Sequence, residues 1–151
     1  MPEVSPATRA LARRVLLHEA GGHREPAALA EAADRADARL RGRLNDLVGI
    51  TGYTTLVARA VRLARVEVPG LERVTVDVRE AAGAEGGLRG VREFALASDG
   101  DPAVVEAGLT AILAHVVGLL VTFIGEGLAV RLIGEAWPEL TDAQDTAEGR
   151  A

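Results

Sequence analysis

The stretch Ala107–Gly125, "AGLTAILAHVVGLLVTFIG", decides the fold, because its 19 residues include no Asp, Glu, Lys or Arg. A helix that is apolar all round is buried, either in a protein core or in a membrane, and this length is enough to span a bilayer. However, Glu106 and Glu126 flank the stretch without a basic cluster nearby, and His115 would lie near the bilayer centre at a cost. We therefore predict the central helix of a soluble core. A small membrane protein with one span at 107–125 is the weaker alternative.

On a helical wheel this stretch has a bulky side and a small side. The large apolar residues share one side: Leu109, Ile112, Leu113, Val116, Leu120, Phe123 and Ile124. The opposite side carries small residues and one imidazole: Ala111, His115, Gly118, Thr122, Gly125 and Ala129. Because small residues let another backbone approach closely, the small side is predicted to face another helix of this chain or the same helix of a second copy. The interface candidates are Ala111, Gly118, Gly125, Ala129 and Trp137.

His115 is the one ionisable residue within the apolar stretch. We interpret it as a core histidine hydrogen-bonded to a backbone carbonyl or to Thr122. A buried pH-sensitive switch or a ligand contact is the alternative, with Thr122 and Glu126 as the neighbouring candidates. The glycines at 118, 125 and 127 weaken the helix, so it is predicted to kink, or to divide into two helices, near residues 122–125.

The first half of the chain reads as amphipathic helices. One helix is predicted from Ala7 to about Ala20, and Pro26 suits the first turn of the next. That second helix has apolar residues at steps of three and four until Gly49 interrupts it: Leu29, Ala33, Ala36, Leu40, Leu44 and Leu47. A third helix follows up to Pro69. It carries a row of Arg59, Arg62 and Arg65, interpreted as a solvated face or else as an anion or partner contact.

The overall architecture predicted from these patterns is mainly α. We expect a compact bundle of about four to six helices around one long apolar central helix. Residues 1–137 would form a single helical domain, and residues 138–151 an acidic flexible tail. Residues 73–79, "RVTVDVR", alternate apolar and polar residues as a strand does. They predict either a short strand, paired with 91–96 or with a second molecule, or an extended connector followed by a short helix within 88–97.

The stretch Leu16–Arg24, "LLHEAGGHR", resembles the HEAGH zinc motif of FtsH-type metalloproteases with one residue inserted. The zinc chemistry needs two histidines four residues apart on one helix face. Here His18 and His23 are five apart, which points them about 140° away from each other. Gly21 instead predicts a left-handed helix end. No metal site is expected, and a metal on His18, Glu19 and His23 is kept as an alternative.

Composition excludes several classes of function. The chain has no cysteine, which excludes disulfides, thiolate catalysis and cysteine zinc sites. All 17 basic residues are arginine, a bias that indicates a GC-rich bacterial genome. Residues 1–75 contain 12 Arg and 9 acidic residues (+3), whereas residues 76–151 contain 5 Arg and 13 acidic residues (−8). This balance is not that of a nucleic-acid binder, and the first 15 residues contain no signal peptide pattern, so a cytoplasmic location is expected.

These observations favour a non-enzymatic helical interaction or regulatory protein. The expected partner is a second copy of the chain or a larger protein, with no nucleic acid, no cofactor and no membrane. Dinucleotide and Walker motifs are absent, and the only serines are Ser5 and Ser98, so no catalytic residue is assigned. The alternative is a helical enzyme or small-ligand or metal-binding protein that uses His115 with Glu126, or His18 with His23.

Overall fold

The computed structural model describes residues 4–76, 88–97 and 101–140, and it confirms the mainly α fold. Within this part of the chain a two-stranded antiparallel sheet accompanies the helices. The elements, in chain order, are α1 (Pro6–Glu19), α2 (Pro26–Glu67), a 3₁₀ helix (Pro69–Arg73), β1 (Thr75–Val76), β2 (Leu88–Arg89), α3 (Val91–Ala97), α4 (Pro102–Ile124) and α5 (Glu126–Ala136).

The apolar helix α4 is the central helix, as predicted. Asp101 caps its start by accepting a hydrogen bond from the Ala103 N–H at 3.0 Å, and Pro102 occupies the first turn. α2 and α1 make the most extensive contacts with α4, and α4 is buried nearly continuously from Val105 to Leu120. Among the described residues α4 is also the one helix that is long and apolar enough to cross a membrane, on length and composition alone.

Two glycines bend the helices where the sequence predicts interruptions. Gly49 has φ 80° and ψ 164° and kinks α2 between two helical halves. Gly125 has φ 89° and ψ 155° and separates α4 from α5. These backbone angles are open to glycine and strained for other residues. α2 and the apolar segment can therefore each change direction without leaving the core.

The strand prediction for residues 73–79 is confirmed at Thr75–Val76, and residues 77–79 lie outside the described residues. Thr75 pairs with Arg89, and Val76 pairs with Leu88. The proposed partner at 91–96 is wrong, because those residues belong to α3. The strand and the helix within 88–97, which the sequence predicts as alternatives, are both present.

Helix α3 is anchored on α4 through one close contact. Phe94 is buried, and its ring lies directly over Gly108 of α4, where a Cβ atom would come within 2.6 Å of the Phe94 Cζ. Leu71 of the 3₁₀ helix borders the same position at 3.2 Å. Glycine at 108 is therefore what allows the aromatic ring to lie against the α4 backbone.

The arginine-rich first half and the acidic second half of the chain are joined by ion pairs. Arg13 Nε lies 2.6 Å from Glu106 Oε1, and Arg43 Nη1 lies 3.9 Å from Glu135 Oε2. At the predicted start of the tail, residues 138–140 are helical and Leu140 packs against the core. Residues 141–151 lie outside the described residues, so the flexible tail stays a prediction.

Candidate functional site

A polar cluster joins three helices at the C-terminal end of α2. The Glu67 carboxylate of α2 lies 2.5 Å from His115 Nε2 of α4, measured to its Oε2, and its Oε1 accepts a hydrogen bond from Arg9 of α1. The predicted partners of His115, a backbone carbonyl or Thr122, are therefore wrong. The Thr122 hydroxyl donates instead to the Gly118 carbonyl at 3.1 Å.

The charges in this cluster favour an ionised Glu67. Burial acts to raise the pKa of Glu67, but the hydrogen bond from His115 and the charge and hydrogen bond of Arg9 outweigh it, and the pKa lies below its ordinary value. A carboxylate can only accept hydrogen bonds, so His115 Nε2 carries the hydrogen in this pair. In the neutral ring Nδ1 is then the acceptor, and it has no hydrogen bond to any residue the structure describes.

A cavity of about 200 Å³ lies beside His115, between the start of α1 and the C-terminal half of α4. Its polar lining consists of the Ser5, Thr8 and Thr122 hydroxyls and the His115 imidazole. The remaining lining is apolar: Val4, Leu63, Gly118, Leu119 and Val121. The structure thus brings His115, Thr122 and Gly118 together at one cavity, whereas the sequence assigned the first two to a ligand site and the third to an interface.

Glu126 does not join this site. It lies at the start of α5, after the Gly125 turn, and is exposed. The carboxylate that pairs with His115 comes from Glu67, so the predicted pairing of His115 with Glu126 is wrong. A helix register argument along α4 and α5 cannot find Glu67, because it lies 48 residues earlier in the chain.

The predicted interface residues have diverse environments. Three of them are buried within this chain: Ala111, Ala129 and Trp137. Their side chains therefore pack between helices of the chain itself. The Arg39 guanidinium lies over the Trp137 ring, 6.0 Å from its centroid. Gly125 is exposed at the turn between α4 and α5.

The residues of the zinc-like motif point to separate partners. His18 Nε2 lies 3.6 Å from Glu139, and His23 Nδ1 lies 3.9 Å from Glu25. The Glu19 side chain is buried and pairs with Arg39 at 3.4 Å. As predicted, the helix ends at this point, and Gly21 follows it with φ 63°. Across residues 4–76, 88–97 and 101–140, no three His, Asp or Glu side chains converge into a metal-ligating group.

A buried acid that the sequence analysis missed lies inside α2. Asp37 is 5% exposed, and its Oδ1 accepts a hydrogen bond from the Tyr53 hydroxyl at 2.6 Å. The Leu88 N–H also donates to it, and Arg41 lies 3.8 Å away. Burial raises the pKa of Asp37 despite these partners. The acid thus ties the two halves of α2 to β2, which is a structural role.

The row of three arginines on α2 is divided between two roles. Arg59 and Arg62 are exposed, in accord with a solvated face. Arg65 instead donates to the Val74 carbonyl at 2.5 Å and to the Leu71 carbonyl at 3.4 Å. It therefore holds the chain that turns back after α2.

An exposed apolar surface surrounds the turn between α4 and α5. Phe123 is 72% exposed, Val130 55% and Leu128 40%. Gly125 and Gly127 lie between them, and a Cβ atom at either position would meet nothing within 4 Å. We call these five residues the elbow surface. The wheel placed Phe123 on the bulky side with residues that are buried, and it is exposed because it lies beyond the part of α4 that the other helices cover.

No protein-family model, no curated protein and no solved structure matches this chain.

Proposed function

We propose that this chain is a helical interaction protein that self-associates as a homodimer through the elbow surface. The observation that carries the proposal is the exposure of Phe123, 72%, on a helix whose preceding turns are buried. Aromatic residues are enriched in the cores of protein interfaces, and exposed apolar residues grouped in one region of a surface can mark an interaction site.

A second copy fits the elbow surface because the surface complements itself. In a two-fold dimer the same patch meets on both subunits. The elbow surface contains a projecting ring, Phe123, next to bare backbone at Gly125 and Gly127, with open space above both glycines. The ring of each copy can therefore lie on the glycine backbone of the other, which is a close approach that larger residues would prevent.

Phe123→Asp tests the surface, with Leu96→Asp as the matched control. Leu96 is similarly exposed, 66%, but lies on α3. We expect the wild-type chain and Leu96→Asp to sediment as dimers at about 50 μM, a concentration at which a micromolar complex is largely formed. Phe123→Asp should sediment as a monomer with an unchanged helical circular dichroism spectrum. A monomeric wild type, or a Phe123→Asp dimer as tight as the control, contradicts the proposal.

A cytoplasmic, bacterial setting completes the proposal. Its support is the burial of α4 by the chain's own helices and the use of arginine for all 17 basic residues. The net charge of −5 supports a protein partner rather than a nucleic acid.

A further inference from the structure

We propose that the cavity beside His115 binds a small neutral molecule that has an apolar body and one hydroxyl group. The cavity has a volume of about 200 Å³, and an apolar cavity of about 150 Å³ is large enough for benzene. Four aliphatic side chains, from Val4, Leu63, Leu119 and Val121, line it together with one buried imidazole and three hydroxyl groups. This combination of apolar walls and a few polar groups is typical of small-molecule sites.

The hydrogen bonds already made around the cavity decide what the ligand must offer. The Thr122 hydroxyl donates to the Gly118 carbonyl, and the Ser5 hydroxyl donates to Thr8 Oγ1 at 2.9 Å. His115 Nε2 is committed to Glu67. The groups that remain are His115 Nδ1, an acceptor in the neutral ring, and the Thr8 hydroxyl hydrogen, a donor. A hydroxyl group supplies both a donor and an acceptor, so it is complementary to both groups.

The charges around the cavity favour a neutral ligand. Glu67, which lies behind His115, already bonds Arg9, so the carboxylate does not supply an uncompensated charge for a cation. An anion finds no counter-charge either, because the described residues that line the cavity include no arginine. Burying an unpaired charge is costly, whereas a neutral hydroxyl brings no charge that needs a partner.

Cyclopentanol and tetrahydropyran are suitable probes, because they are isomers with the same atoms and only the first has a hydroxyl. Each is titrated into the full chain, and binding is followed by NMR through the methyl resonances of Val4, Leu119 and Val121 and the ring nitrogens of His115. We expect cyclopentanol to shift these resonances with a Kd on the order of tenfold lower than that of tetrahydropyran, the effect of one net hydrogen bond. The His115 Nδ1 resonance should move with cyclopentanol alone.

Two variants distinguish binding of the probes in the cavity from nonspecific binding elsewhere on the protein. His115→Phe keeps a ring but removes Nδ1, so it should abolish the preference for cyclopentanol. Gly118→Leu should fill the cavity and abolish binding of both probes while leaving the His115–Glu67 pair intact, and it remains informative if His115→Phe fails to fold. Gly42→Leu is the control, because Gly42 is an exposed helical glycine with open space around it; it should bind both probes as the wild type does.

Three outcomes overturn the proposal: no shift of the lining methyl groups with cyclopentanol, equal affinity for the two probes, or binding that persists in Gly118→Leu. A shift that is selective for cyclopentanol and lost in Gly118→Leu supports it. These variants leave the elbow surface unchanged. The proposal of ligand binding in the cavity and the proposal of a dimer can therefore each be rejected without affecting the other.

Discussion

At the residue scale, Glu67 is the point where α1, α2 and α4 are joined by polar contacts. Its carboxylate bonds Arg9 and His115, and charge-assisted hydrogen bonds of this kind are stronger than neutral ones. His115 is buried, so it depends on Glu67 for the hydrogen bond that a buried polar group needs.

Glu67→Gln should therefore destabilise the fold in a pH-dependent way. The pKa of Glu67 is lower in the folded chain than the ordinary 4.5. The stabilisation by its charge is thus fully present above about pH 4.5 and is lost as the pH falls through the folded-state pKa. We expect a loss of about 1 kcal/mol near neutral pH, measured by urea unfolding, and a smaller difference from wild type near pH 3. A difference that grows on acidification contradicts this account.

Tyr53→Phe tests the other buried acid. Asp37 has a pKa above its ordinary 3.8 because of burial, so wild-type stability falls as the pH rises from that value through the folded-state pKa. Loss of the Tyr53 hydroxyl removes a donor to Asp37 and raises its pKa further. We expect a loss of about 1 to 3 kcal/mol, larger near pH 7 than near pH 4. Unfolding curves that match the wild type at both pH values would reject the role given to this bond.

The hydrogen-bond partners of the buried polar side chains were the feature hardest to predict from the sequence. His115 was recognised as a buried imidazole, but its acid comes from a residue 48 positions away, and helix periodicity relates only residues on the same helix. Asp37 was missed for a similar reason, because its donors Tyr53 and Leu88 become neighbours only after α2 bends and the strands pair.

At the element scale, the ends of the helices were predictable because their signals are local. Pro26 and Pro102 occupy first turns, and Gly21, Gly49 and Gly125 lie at ends or kinks with positive φ. The exposure of Phe123 was not predictable, since it depends on where the other helices stop covering α4.

Gly49→Ala and Gly42→Ala form a matched pair within α2. Both glycines have open space for a Cβ atom, but only Gly49 has a positive φ, 80°. Alanine at 42 should stabilise the chain by up to about 1 kcal/mol through helix propensity. Alanine at 49 should destabilise it by about 1 to 3 kcal/mol through backbone strain. Thermal unfolding followed by circular dichroism distinguishes the two, and a stabilising Gly49→Ala would mean that α2 prefers to be straight.

At the scale of the whole molecule, the basic first half and the acidic second half of the sequence form ion pairs with each other within one chain. The pairs Arg13–Glu106 and Arg43–Glu135 connect its two halves, although exposed pairs of this kind contribute little stability each. The burial of apolar side chains, those of α4 among them, is the main favourable contribution to folding.

That burial predicts how the whole protein behaves without a membrane. The chain should stay in the supernatant on ultracentrifugation in detergent-free buffer and show a cooperative unfolding transition, because α4 already has apolar partners. Recovery in the membrane pellet, with extraction by detergent but not by high salt or alkali, would instead support the single-span alternative.

The contact between Phe94 and Gly108 limits which substitutions these two positions can accept during evolution. A side chain at 108 would meet the ring at 2.6 Å, so the two positions can change only together, an aromatic residue at 94 requiring glycine at 108. Related sequences, when aligned, should therefore show these two positions as a covarying pair, with alanine or serine at 108 tolerated only where 94 has become smaller.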